Sequence, residues 1–330
     1  MSARFCGTGS CVPDYVMDND GVAEFVETSD SWIRERTGIA RRHIAVKETT
    51  VSMANEAAKR ALDNAGVLPE ELDLILMSTI SSDVIIPCGA CEVQKAIGAD
   101  KAVCFDLNGA CTGFVLAYNT ALAYIESGIY QTVLIVGSES LSRLTNWKDR
   151  GTCILFGDGA GAAVIKKDER ASYIPAAHSD GIRGEALLCH SKREENGLPL
   201  QKNDEIGGKH LNSEDYLMQM DGQGVFRFAI KQVPEVIQEV LEKNEVKPEE
   251  IDWYILHQAN RRILEAVAKR MGEPVEKFPM NMEEYGNTSS ASIPILLDEM
   301  NRDGRLKRGQ KIVLAGFGAG LTWGATIIEW

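Results

Sequence analysis

A cysteine, a histidine and an asparagine, far apart along the chain, each stand in a setting suited to catalysis by a nucleophilic thiol. Cys111 lies in Asn108-Gly109-Ala110-Cys111-Thr112-Gly113-Phe114, after the strand-like run 101–107 and before the apolar segment 114–125. A thiol at the first turn of a helix faces unpaired backbone N–H groups and the positive end of the helix dipole, which favours the thiolate and predicts a lowered pKa. His257 heads His257-Gln258-Ala259-Asn260 after a strand, and Asn287 stands in Gly286-Asn287-Thr288-Ser289-Ser290 before a helix. Singly, each has a plainer reading: packing for a buried cysteine, a satisfied core histidine, and a cap or turn for asparagine. Only the fold can bring them to one pocket.

An internal repeat supplies the elements that would do so. Ala57 to Ser78 matches Val236 to His257 at a constant offset of 179 positions, pairing Leu62 with Leu241, Pro69-Glu70-Glu71 with Pro248-Glu249-Glu250, and Asp73 with Asp252. The same offset pairs Gln131 with Gln310 and Gly137 with Gly316, each pair bracketing an apolar strand. Strands of low charge that alternate with helices indicate mixed α/β layers with sheets covered on both faces. The offset also sets Cys111 opposite Ser290, each at the start of the equivalent helix in its half. Those two helices are expected to meet near a pseudo-twofold axis, with His257 at the end of the repeat's second strand.

Length, charge and cysteine usage narrow the function classes. At 330 residues the chain exceeds the roughly 250–300 residues at which single cores stop growing, so two similar halves are expected, 1–170 with Cys111 and 171–330 with His257 and Asn287. No apolar run approaches the ~18 residues of a membrane span, and the first twenty residues lack a signal-peptide layout, so a cytoplasmic protein is expected. A net charge of −13 disfavours nucleic acid as a partner. Eight cysteines without an export signal read as reduced thiols. Cys88-Gly89-Ala90-Cys91 has the form of a redox or zinc motif, but it has no second pair and opens an apolar-periodic stretch, so it reads as part of a buried helix. His43, His178, His190 and His210 fall in polar or loop-like contexts.

Over nearly its whole length the chain resembles the β-ketoacyl-acyl carrier protein synthase III family, of the thiolase-like fold. The resemblance rests on Gly7-Thr8-Gly9-Ser10, Thr28-Ser29-Asp30-Ser31-Trp32-Ile33 with Arg36-Thr37-Gly38-Ile39, the Cys111 segment, and Phe156-Gly157-Asp158-Gly159-Ala160-Gly161-Ala162. It continues in His257-Gln258-Ala259-Asn260, Gly286-Asn287-Thr288-Ser289, and Gly316-Phe317-Gly318-Ala319-Gly320-Leu321-Thr322-Trp323-Gly324. It implies duplicated halves in five layers (αβαβα), and a decarboxylative condensation of an acyl-CoA primer with malonyl-acyl carrier protein that initiates fatty acid synthesis. By the same resemblance Cys111, His257 and Asn287 are the catalytic triad. The backbone N–H groups of Cys111 and Ala319 form an oxyanion hole, with Gly318 and Phe317 in the same loop. No metal and no cofactor are implied, CoA thioesters being substrates.

The resemblance also assigns binding residues. Trp32 and Arg150 would sandwich the CoA adenine, with Arg36 and Asn260 assisting the phosphates and pantetheine. An acidic carrier protein needs a basic patch; Arg261, Arg262, Lys269 and Arg270 are read as one face of a helix, joined by Arg227, although a solvated helix face accounts for them equally. Ile86 would cross a homodimer interface to line the primer pocket, where the family has an aromatic in members preferring very short straight primers, so longer or branched primers are expected. The charged stretch Ser191 to Asp215 reads as a surface loop or lid. A degradative thiolase would need a cysteine in the last glycine-rich loop, and an elongating condensing enzyme a second histidine in place of Asn287. A hydroxymethylglutaryl-type synthase, a condensing enzyme of specialised metabolism and, outside catalysis, a carrier-protein binding module remain alternatives.

Overall fold

A computed structural model describes residues 2–170, 172–191 and 213–330. The interior of the charged stretch 191–215 and His210 thus lie outside the described residues. The layers are built by strands β1 (Ser2–Cys11), β2 (Leu74–Ser78), β3 (Val103–Leu107), β4 (Thr132–Ser140), β5 (Asp158–Asp168), β6 (Ala176–Ser179), β7 (Trp253–Leu256), β8 (Lys311–Gly318) and β9 (Thr322–Glu329). The helices that cover them are α1 (Asp30–Thr37), α2 (Thr50–Ala65), α3 (Gly89–Ile97), α4 (Gly113–Glu126), α5 (Gly222–Lys243), α6 (Arg261–Met271) and α7 (Ser292–Arg302).

One sheet has the order β1-β5-β4-β2-β3 and the other β7-β8-β9-β6. Read from the strand that follows each Pro-Glu-Glu turn, both run parallel, antiparallel, antiparallel, from β2 through β4 and β5 to β1 and from β7 through β8 and β9 to β6. Buried side chains fall into three cores. Apolar residues of α2 and α3 meet one face of the first sheet, α4 and α7 fill the space between the two sheets, and α5 and α6 cover the far face of the second. This is the five-layer αβαβα thiolase-like arrangement.

The repeat recurs bond for bond. Glu71 Oε1 accepts from Leu68 N at 2.9 Å, and Glu250 Oε1 from Lys247 N at 2.9 Å. Asp73 Oδ2 accepts from Thr132 N at 3.0 Å, and Asp252 Oδ2 from Lys311 N at 2.9 Å. These carboxylates, one turn ahead of each strand, fix where it enters its sheet. The halves differ at one edge: where the offset would place a counterpart of β3, the chain forms a short helix, Met282–Tyr285. Among the described residues the second sheet therefore has four strands, and β3 is an edge strand of the first.

Cys88 stands at the N-cap of α3, and its Sγ is 3.4 Å from that of Cys91. Among the described residues no cluster of three or more His, Cys, Asp or Glu side chains could hold a metal ion. Among the same residues no helix is long and apolar enough to cross a membrane.

Candidate active site

Cys111 is buried in a single 3-10 turn, Ala110–Thr112, that leads into α4. Ala110 takes a left-handed φ of 45°, and its repeat counterpart Ser289 takes 49° in the turn before α7. Left-handed backbone costs a residue with a Cβ about 1–2 kcal/mol, so two matched strained turns face each other at the pseudo-twofold axis. Close approach is what they serve. A Cβ on Gly316 of β8 would lie 2.8 Å from Thr112 Cα, and one on its counterpart Gly137 of β4 would lie 2.4 Å from the Ser290 carbonyl oxygen. Each glycine admits the turn of the opposite half against its strand. Gly318 does the same for the thiol: its Cβ would fall 2.7 Å from Cys111 Cβ and 3.1 Å from Sγ.

His257 follows β7, and its Nδ1 is 2.7 Å from Ser292 Oγ in the first turn of α7. That hydroxyl also accepts from Gln258 N at 3.3 Å, and Gln258 is locked by bonds to Leu256 O at 2.8 Å and from Asn281 N at 3.1 Å. With Nδ1 so engaged, the Nε2 edge is left for the cavity. Phe317 meets the imidazole edge to face at a centroid distance of 5.3 Å. Asn287 is held through its backbone by Leu155 O and Gly157 N, at 2.9 and 3.0 Å. Its Oδ1 accepts from Ser289 N at 2.9 Å, so the side chain offers its NH2 end to the site.

Burial dominates the electrostatics. It pushes the Cys111 thiol up to about 12, a correction to the lowered value expected at a helix start. The Ser289 hydroxyl, otherwise without a hydrogen-bond partner, and the Cys111 backbone N–H favour the thiolate, but they do not offset desolvation. Burial also pulls His257 down to about 3, against a hydrogen bond with the Ser289 backbone, so the imidazole is neutral at ordinary pH. Ser289 and Ser292 therefore belong to the site, although a hydroxyl-rich turn gives no signal that separates them from caps.

Two cavities meet at Cys111. One, of about 780 Å³, runs from Trp32, Arg36, Arg150, Asn260 and Arg262 at its mouth to Cys111, His257, Asn287, Phe317 and Gly318 at its base. The other, of about 1150 Å³, extends from Cys111 and Ala319 past Ile80, Leu141, Leu144, Leu187 and Met218. Ala319 is held by its carbonyl, which accepts from Thr322 Oγ1 at 3.0 Å; that hydroxyl lies 3.0 Å from Thr112 Oγ1 beside Cys111.

The binding residues are less uniform. The Arg150 guanidinium lies 4.8 Å from the Trp32 ring centroid and that of Arg36 4.5 Å, so Arg150 rests directly on the indole where the adenine was expected. Asn260 has both ends engaged, capping α6 through Arg262 N at 2.9 Å and donating to Arg36 O at 3.0 Å. The four basic residues of α6 do not share one face. At 100° per residue Arg261 and Arg270 project in opposite directions: Arg261 reaches Glu283 at 3.6 Å and Arg270 reaches Glu235 of α5 at 3.3 Å. Arg262 lines the first cavity with Arg227, its guanidinium 5.7 Å from the Phe226 ring, and Lys269 is exposed. Ile86 is 85% exposed in the single chain, away from Cys111's two cavities.

Comparison with known proteins bears on this geometry. Residues 105–181 match the family described as 3-oxoacyl-[acyl-carrier-protein (ACP)] synthase III, and residues 241–330 match its C-terminal part. A β-ketoacyl-[acyl-carrier-protein] synthase III of Clostridium acetobutylicum is 46% identical over 330 residues, covering 100% of this chain and 99% of its own. The crystal structure of 3-oxoacyl-[acyl-carrier-protein] synthase III from Aquifex aeolicus superposes with a TM-score of 0.89 at 41% identity, over 99% of this chain and 100% of its own. The priming β-ketosynthase of the R1128 polyketide biosynthetic pathway superposes with a TM-score of 0.91 at 33% identity, over 99% and 96%.

Proposed function

The chain belongs to the 3-oxoacyl-[acyl-carrier-protein] synthase III family of condensing acyltransferases, and from that premise we propose how its own residues condense an acyl-CoA primer with malonyl-acyl carrier protein to open fatty acid synthesis. The observation that carries the reading is the division of the site: Cys111 borders both cavities, whereas His257 and Asn287 border only the one whose mouth holds Trp32 and Arg150. An acyl group on Sγ can then lie in the aliphatic cavity while a second thioester enters past His257 and Asn287.

In the first half-reaction Sγ attacks the primer carbonyl, and the N–H groups of Cys111 and Ala319 hold the tetrahedral oxyanion. CoA leaves as its thiol, taking up the proton that the cysteine gives away. In the second, loss of CO2 from the malonyl thioester places negative charge on the thioester oxygen. In the tautomer in which Ser292 donates to Nδ1, the proton of His257 sits on Nε2, and Nε2–H and the Asn287 NH2 are the two donors for that oxygen. A neutral imidazole suits this role because it donates without first giving up a charge. Phe317 presents an apolar face that disfavours the carboxylate and favours CO2. The new C–C bond forms at the acyl carbonyl and expels Cys111.

At the mouth, Arg150 must swing off Trp32 to admit a flat ring, exchanging one stacking partner for another. Arg227 and Arg262 serve as the carrier-protein contact nearest the entrance. The halves 1–170 and 171–330 act as the duplicated units, and a homodimer in the cytoplasm joins two chains. Exposed Ile86 and the edge strand β3 support that assembly, with Ile86 lining the partner's primer pocket. Ile80, Leu141, Leu144, Leu187 and Met218 give the larger cavity an aliphatic stretch, beside polar residues such as Arg143, His190 and Tyr216, and that stretch favours longer or branched primers over acetyl. The reaction needs no cofactor beyond its CoA substrate.

The test separates the half-reactions. Cys111→Ser abolishes the acyl adduct seen by mass spectrometry. His257→Ala and Asn287→Ala keep the adduct and lose about 10²–10³ of condensation each, the usual worth of one donor at a developing oxyanion. Equal loss of both steps in His257→Ala refutes the assignment.

A further inference from the structure

Glu139 is a fully buried carboxyl on β4 for which the two half-reactions have no use. Its Oε2 accepts from Ser81 Oγ at 2.6 Å, Ile80 N at 3.0 Å and Thr79 Oγ1 at 3.3 Å, tying down the chain as it leaves β2. Its Oε1 lies 2.8 Å from Ser290 Oγ. These partners are hydroxyls and one backbone amide, none of them cationic, which is unusual company for a buried carboxylate.

The repeat explains the location. The offset of 179 that pairs Cys111 with Ser290 also pairs Glu139 with Gly318. Gly318 leaves room beside the nucleophile, with no side chain where one would strike Cys111. Glu139 puts a carboxyl into the equivalent space beside Ser290. One half keeps the space open for substrate and the other plugs it.

The protons around Ser290 then decide the state of the plug. Ser290 Oγ has one proton and two close oxygens, Glu139 Oε1 at 2.8 Å and the Ser78 carbonyl at 3.0 Å. A carbonyl can only accept. If Ser290 donates to Ser78, the shorter contact is filled only by a proton from the carboxyl, giving the chain Glu139 O–H to Ser290 O–H to Ser78 C=O.

We propose that Glu139 is a positioning residue that acts as a neutral carboxylic acid, donating to Ser290 and thereby clamping the Asn287–Ser290 turn to the Thr79–Ser81 segment so that Ser289 stays on the Cys111 thiol. Burial drives the Glu139 pKa upward and outweighs the hydrogen bonds from Ser81, Ile80, Ser290 and Thr79, which lower it. The titratable group that feels the carboxyl is Cys111, whose thiolate an ionised Glu139 would oppose. A neutral plug fixes the turn without that repulsion. The inference rests on Cys111 being the acyl-bearing thiol.

Glu139→Gln is the decisive variant, because an amide NH2 can donate to Ser290 while its C=O accepts from residues 79–81. In the wild-type minus Glu139→Gln infrared difference spectrum, the expected signal lies in the protonated-carboxyl region and none in the carboxylate region. The pH dependence of Cys111 alkylation by iodoacetamide, read on its own peptide by mass spectrometry, is expected to be unchanged in Glu139→Gln. In Glu139→Ala and Ser290→Ala it is expected to shift to higher pH with alkylation slowed about tenfold, equivalent to one pKa unit. A carboxylate signal, or a shift to lower pH in Glu139→Gln, overturns the neutral acid. Wild-type alkylation in Glu139→Ala overturns the positioning role. Neither readout needs substrate turnover, so a chain that failed to condense malonyl-acyl carrier protein would refute the function and leave this result standing.

Discussion

One methyl group at residue 318 should misplace the Cys111 thiol. An alanine Cβ there would sit 2.7 Å from Cys111 Cβ and 3.1 Å from its Sγ, whereas carbon atoms rest about 3.5–4.0 Å apart. Gly318 is not among the residues of positive φ, so its backbone accepts alanine and the whole effect falls on space. Clearing the overlap requires a shift of roughly 1 Å, and misplacement of that size at a reacting group costs about 10²-fold in rate. Overpacking adds about 1–3 kcal/mol of destabilisation. The time course of the acyl adduct after mixing with acyl-CoA gives the rate, and thermal unfolding gives the stability. A folded Gly318→Ala enzyme that acylates within about threefold of wild type would show that the gap opposite Cys111 does not seat the thiol.

Four further outcomes follow from the same geometry. Because the thiol is protonated below its raised pKa of about 12, alkylation of Cys111 rises with pH, about tenfold per unit between roughly pH 6 and 9; a plateau below pH 8 refutes this. His257, neutral above its depressed pKa of about 3, contributes no protonation step between pH 5 and 8, so its removal leaves no missing limb there in the decarboxylation profile. Arg262→Ala and Arg227→Ala raise the KM for malonyl-acyl carrier protein severalfold and flatten its salt dependence, while Arg270→Ala, turned to Glu235, leaves both near wild type; a larger effect of Arg270→Ala counts against the entrance assigned here. Hexanoyl- and isobutyryl-CoA acylate Cys111 at least as fast as acetyl-CoA, and a strict acetyl preference refutes the reading of the aliphatic cavity.

What could be read in the sequence was whatever repeats or whatever chemistry demands. The Pro-Glu-Glu turns and the aspartates after them appear twice because the same hydrogen bonds are made twice. Cys111, His257 and Asn287 were legible because their residue types fit one reaction and their positions fit one axis. Burial was not legible. The dipole argument for Cys111 counts only the turn that carries it, whereas the thiol's pKa is set by the second half closing over it. Arg270 was misplaced because charge clustering along the sequence does not respect the rotation of a helix. The missing counterpart of β3 escaped because the offset weakens around residues 282–286, where Met282–Tyr285 coil instead.

Duplication gives such a site a particular economy of parts. Each half needs a strained turn at the axis, Ala110 in one and Ser289 in the other, and a glycine on the opposite sheet to receive it, Gly316 and Gly137. Two equal turns would produce two thiols competing for one cavity. The chain resolves this by chemistry at two matched pairs of positions, each spanning the halves: Cys111 of the first against Gly318 of the second, and Ser290 of the second against Glu139 of the first. The serine turn then supports the cysteine turn. Ser289 reaches the thiol, Asn287 is oriented by the Ser289 N–H, and Ser292 holds His257. Every group that the proposed condensation half-reaction adds to Cys111 therefore either belongs to the twin's turn and helix or is held by them, apart from residues 317–319 at the end of β8. A substitution that loosens that turn should damage the second half-reaction before the first, because in the proposed mechanism acylation draws on Cys111 and Ala319 while decarboxylation draws on Asn287 and His257.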